Sequence, residues 1–99
     1  MTPAEWPFDT EHPDQGCSLF YEQALPLIQS GDYEAALPTT VGALRILTRC
    51  GASAGSPHPR QHDVYLELVN LLLKTGLSME SAEEYAAHVV IEAKASVRG

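Results

Sequence analysis

Four stretches of this 99-residue chain carry apolar residues three or four apart, the spacing of one helix face. The first, about 17 to 30, has Phe20, Ala24, Leu27 and Ile28 on that face, with Tyr21 and Leu25 widening it. The second, about 33 to 49, has Ala36, Leu37, Thr40, Ala43, Leu44 and Leu47. The third, about 63 to 75, is apolar nearly all round (Val64, Tyr65, Leu66, Leu68, Val69, Leu71, Leu72, Leu73). Such a helix is either central to the core or keeps a second face for a partner. On that second reading Val64, Leu66, Leu71 and Leu73 are the exposed candidates. The fourth, about 79 to 97, carries a stripe of Ala82, Tyr85, Ala86, Val89, Val90, Ala93 and Val97. The pattern predicts an all-α domain of two antiparallel helical hairpins.

The punctuation between the stretches agrees. Gly31 and Gly76 suit the left-handed residue that ends a helix, and Asp32 is placed to cap the helix after it. Asp63 is the candidate cap of the third helix. The fourth helix starts between Ser78 and Glu83, with Ser78 competing against a Ser81–Glu84 capping box. Arg45 and Arg49, Lys74, and Lys94 with Arg98 fall near C-terminal ends, where cations offset the negative pole. Pro26 predicts a kink or irregular turn, because its ring clashes with the carbonyl of Glu22 and it donates no hydrogen bond. Thr40 is a polar residue on an inner face, tolerated if its hydroxyl bonds back to a helix carbonyl. Residues 51–61, rich in Gly, Ser and Pro, read as a loop.

Residues 1–16 read as a Pro-rich acidic arm ahead of a domain spanning 17–99. Its Trp6 and Phe8 are either stray aromatics on a frayed tail or docking groups that cover an exposed end of the body or of a neighbouring copy.

Charge narrows the function classes. The net charge is −7, and no Lys or Arg precedes Arg45. Phosphate-backbone binding needs clustered cations, so nucleic acid is not an expected partner. There is no bilayer-spanning apolar run and no secretion signal, so a soluble cytoplasmic protein without a membrane partner is expected. Two cysteines do not make a disulfide framework; Cys17 and Cys50 fall at neighbouring ends of the first hairpin, where a disulfide is geometrically conceivable, but reduced, packed thiols are expected. His58 and His62 are four apart beside Asp63, but Pro59 interrupts the helix that would align them and no third ligand is near. No metal, cofactor or small-molecule substrate is expected. Nothing in the chain forms a phosphate-cradling loop, a nucleophile elbow or a pair of catalytic carboxylates.

The two hairpins share a pattern. Phe20, Ala24, Leu27, Gly31, Ala36, Thr40 and Ala43 have counterparts in Tyr65, Val69, Leu72, Gly76, Ala82, Ala86 and Val89, with the two elbow glycines 45 residues apart. This resembles the tetratricopeptide repeat, whose usual period is about 34 residues. The longer spacing resembles the kinesin-light-chain type, whose Tyr-Glu-x-Ala-x-Pro start to the second helix matches Tyr33-Glu34-Ala35-Ala36-Leu37-Pro38. A His-Pro loop of that type loosely matches Ser56-Pro57-His58-Pro59. The chain departs at Pro26, at Thr40 where a bulkier residue is usual, and at one extra residue before Ala82.

The resemblance, which covers roughly residues 17 to 97, implies a fragment of a right-handed α-α superhelix and a non-catalytic protein-interaction module. It implies a partner peptide or helix lying in an apolar groove walled by Tyr21, Leu25, Ile28 and Gln29 from one unit and Leu66, Asn70, Leu73 and Lys74 from the other. Two units are fewer than a solenoid usually needs to cover its faces, which leaves a role for a partner or for self-association. The rival expectations are an obligate homo-oligomer, such as a dimer, with a structural role, and a small acidic chaperone or inhibitor of a basic partner.

Overall fold

A computed structural model describes residues 13–97 of the chain. Over these residues the protein is all-α, with four helices. Helix α1 covers residues 13–29, α2 Tyr33–Ala54, α3 Gln61–Lys74 and α4 Met79–Val97.

Helix α1 is not uniform. It is α-helical over Pro13–Ser18, π-helical over Leu19–Ala24 and α-helical again over Leu25–Gln29. The irregularity expected from Pro26 thus lies just upstream of it. The Leu25 N–H reaches back five residues to the Phe20 carbonyl, and Pro26 then falls in the first turn of the resumed α-helix. In a first turn the missing N–H costs least. The helix already includes residues 13–16, which the sequence places in the arm. Gly16 lets this end pack tightly on α2. It is buried, and a Cβ there would lie 2.9 Å from Leu47 Cγ, so its bare backbone lets α1 approach α2 closely. Trp6 and Phe8 lie outside the described residues.

The two elbows are built alike. At the first, the Ser30 hydroxyl donates to the Leu27 carbonyl (3.0 Å), Gly31 takes φ +86°, and the Asp32 N–H closes on Leu27 (2.8 Å). At the second, the Thr75 hydroxyl donates to Leu72 (3.0 Å), Gly76 takes φ +112°, and the Leu77 N–H closes on Leu72 (3.0 Å). The same carbonyl takes a side-chain and a backbone donor in each, at positions 45 residues apart. After the turn they diverge. Asp32 occupies the cap position of α2 without a side-chain capping bond, contrary to expectation. Ser78 accepts the Ser81 N–H (3.2 Å) and starts α4 at Met79, so the Ser81–Glu84 box is not used.

Helix α2 is the hub on which α1, α3 and α4 all pack. It runs five residues past its expected end, to Ala54, and closes with a left-handed Gly55. Gly51 therefore belongs to a helix and not to a loop. The Gly55 and Ser56 N–H groups both bond its carbonyl, and the backbone of residues 56–58 folds back against it. Arg45 and Arg49 consequently lie mid-helix rather than at the terminal turn. The connecting loop shrinks to residues 55–60.

The core joins Phe20 and Ala24 of α1, Val41, Ala43, Leu44 and Leu47 of α2, Val64, Leu68, Val69 and Leu72 of α3, and Ala82, Ala86 and Val89 of α4. Thr40 and Thr48 of α2 are buried with it, and neither hydroxyl has a hydrogen-bond partner. The back-bond expected of Thr40 is not made. Tyr85, read as part of the inner stripe of α4, is 48% exposed at the edge of that stripe.

Candidate functional site

The apolar girdle of α3 is covered on two sides, by α2 and by α4. That covering overturns part of the expected second face. Val64 and Leu71 are buried, and Leu73 is half-buried against the core. Only Leu66, at 46% exposure, stands clear as an apolar group on this helix. Asp63 does not cap α3; the cap position is Arg60, whose guanidinium meets Asp63 at 3.3 Å across the first turn.

Helices α1 and α3 both pack on the central helix α2. Two ring–cation contacts tie α3 to its neighbours, Arg60 to α1 and Lys74 to the start of α2, at either end of the strip where the groove is expected, here called the valley. The Arg60 guanidinium lies over the Tyr21 ring at 5.9 Å, and the Lys74 ammonium lies over the Tyr33 ring at 5.3 Å. Each is worth about 0.5–1 kcal/mol at an exposed site. Tyr21 is itself fixed edge-on against buried Phe20, with ring centroids 5.1 Å apart. Arg60 and Lys74 are fourteen residues apart along α3, about 21 Å at the helical rise.

The expected groove residues divide by exposure along this valley. Tyr21, Gln29, Leu66, Asn70 and Lys74 are exposed. Leu25, Ile28 and Leu73 are half-buried and pack on the core, so they offer an edge rather than a whole side chain. On α3, Leu66, Asn70 and Lys74 follow one another at four-residue steps and share one exposed stripe. Tyr33 was not among the expected residues. Its signal was its position just after the first elbow, which brings the start of α2 beside the end of α3.

No family model, curated protein or solved structure matches this chain.

Among the described residues no three His, Cys, Asp or Glu side chains come together to hold a metal ion. His58 Nδ1 accepts the Arg60 N–H (3.0 Å), His62 stacks on Tyr65 with ring centroids 6.4 Å apart, and Asp63 pairs with Arg60. Cys17 and Cys50 are half-buried thiols. No helix among the described residues is long and apolar enough to cross a membrane. A wide-open depression beside the π-helical stretch, lined by Asp14, Gln15, Ser18, Leu19, Gln23 and Ile46, was not foreseen from the sequence. It depends on Ile46 of α2 meeting the outer side of α1, a pairing that hydrophobic spacing does not reveal.

Proposed function

We propose that this chain is a non-catalytic protein-interaction module of tetratricopeptide-like build, which holds a peptide or helix of a partner protein in the α1/α3 valley. The observation that carries the reading is the make-up of that valley. Leu25, Ile28 and Leu73 form apolar edges, and Leu66 supplies an exposed apolar side chain. Gln29 and Asn70 supply amides that both donate to and accept from a backbone. The valley is bounded by two cation-capped tyrosines. The paired elbows at a 45-residue offset support the repeat architecture behind it. A chain of this composition is expected to work in the cytoplasm.

Selection of peptides from a random displayed library against the full chain tests the proposal. Selected peptides should lose at least about tenfold in affinity, some 1.4 kcal/mol, on Leu66→Glu, with helicity by circular dichroism unchanged. Asn70→Ala should weaken binding less. Binders indifferent to both substitutions, or a selection yielding none, would refute the valley as the site.

A further inference from the structure

Helix α4 has a largely exposed face. Its inner side is Ala82, Ala86, Val89 and Ala93, all buried. Away from it run Glu80, Glu84, Ala87, Ile91 and Lys94; Ala87 is half-buried and the rest are exposed. Ile91, at 63%, is the most exposed large apolar side chain among the described residues. These positions alternate steps of four and three and so share one strip of the helix, in which the apolar pair Ala87 and Ile91 is flanked by charges.

The stripe is also self-complementary about its centre. Ala87 and Ile91 are each two residues from position 89, and Glu84 and Lys94 are each five. A two-fold axis on the exposed side of the helix, at the level of residue 89, therefore sets Ile91 of one copy on Ala87 of the other, and Glu84 of one against Lys94 of the other, each contact made twice. Ala87 is small enough to let the two backbones approach over the Ile91 side chain. A parallel pairing would instead oppose glutamate to glutamate and lysine to lysine, which costs stability.

We infer that α4 is a self-association surface, pairing antiparallel with α4 of a second copy. This surface is separate from the α1/α3 valley, so a partner bound there and a second copy bound here do not compete.

Sedimentation equilibrium of the full chain under reducing conditions, over roughly 1 μM to 1 mM, spans the range of weak association. The mass should rise with concentration from the 10.7 kDa of one chain toward twice that value. Ile91→Glu should weaken association at least about tenfold while the circular dichroism spectrum stays unchanged, since the position is exposed. Glu84→Lys and Lys94→Glu should each weaken it, and the two together should restore it, because the swapped charges again face each other. A constant monomer mass overturns the inference. So does a dimer that survives Ile91→Glu, or a charge-swapped chain weaker than both single variants. Affinity for valley-selected peptides should be the same in every one of these variants, which separates failure of this surface from failure of the valley.

Discussion

Replacing Thr48 with Val should stabilise this protein. Val has nearly the shape of Thr, with a methyl in place of the hydroxyl. Thr48 is 1% exposed and Thr40 is wholly buried, and neither Oγ1 has a hydrogen-bond partner. An unpaired buried hydroxyl costs about 1–3 kcal/mol relative to one left in water. Thr and Val have similar helix propensities, so the backbone term nearly cancels. The net gain expected is about 1–2 kcal/mol for each site, with Tm rising about 4–8 °C per kcal/mol for a domain of this size. The two sites are eight residues apart on α2, about 12 Å along the axis, so their effects should add to within about 0.5 kcal/mol. Urea unfolding followed by circular dichroism measures this, with the gain in the midpoint and the slope unchanged. Thr39→Val is the control. Thr39 is only half-buried, and its change should fall within about 0.5 kcal/mol of zero. A loss of 1 kcal/mol or more at Thr40 or Thr48 would refute the reasoning, because it would mean that the hydroxyl is hydrogen-bonded in the folded protein.

Two further predictions concern the helix ends. At Gly51, Ala would ordinarily gain about 1 kcal/mol in a helix interior. Here its Cβ would lie 3.0 Å from backbone atoms of Ser56, Pro57 and His58, so Gly51→Ala should lower the thermal midpoint; a rise would refute the close approach. Ser78→Ala removes the acceptor of the Ser81 N–H and should cost about 1 kcal/mol in urea unfolding, whereas Ser81→Ala, which deletes no cap, should cost less than half of that.

The parts of this fold legible in the sequence are those set by local chemistry. Gly31 and Gly76 mark both elbows because left-handed backbone is steeply selective for glycine. Pro26 announced an irregularity, but not that it would take the form of a π-helical stretch, since that depends on where the chain re-registers. Residues 51–54 read as loop because of the Gly, Ser and Pro of 51–61, yet they continue the helix, with residues 56–58 packed on Gly51. The all-round apolar character of α3 was visible, yet it did not reveal that both α2 and α4 would cover it and bury Val64 and Leu71. Of the valley, the sequence indicated which residues share a helix face. The cation contacts of Tyr21 and Tyr33 join residues 39 and 41 positions apart and were out of its reach.

The central place of α2 bears on how the molecule can be divided. The repeat pattern invites a cut in the loop of residues 55–60, one hairpin on each side. Leu44 and Leu47 of α2 share one buried cluster with Val64 and Leu68 of α3 and with Ala86 and Val89 of α4. A severed second hairpin would open that cluster to water, and a severed first hairpin would expose the side of α2 that α3 and α4 now cover. The two units are thus repeats in pattern but share one buried core, so they are expected to unfold together.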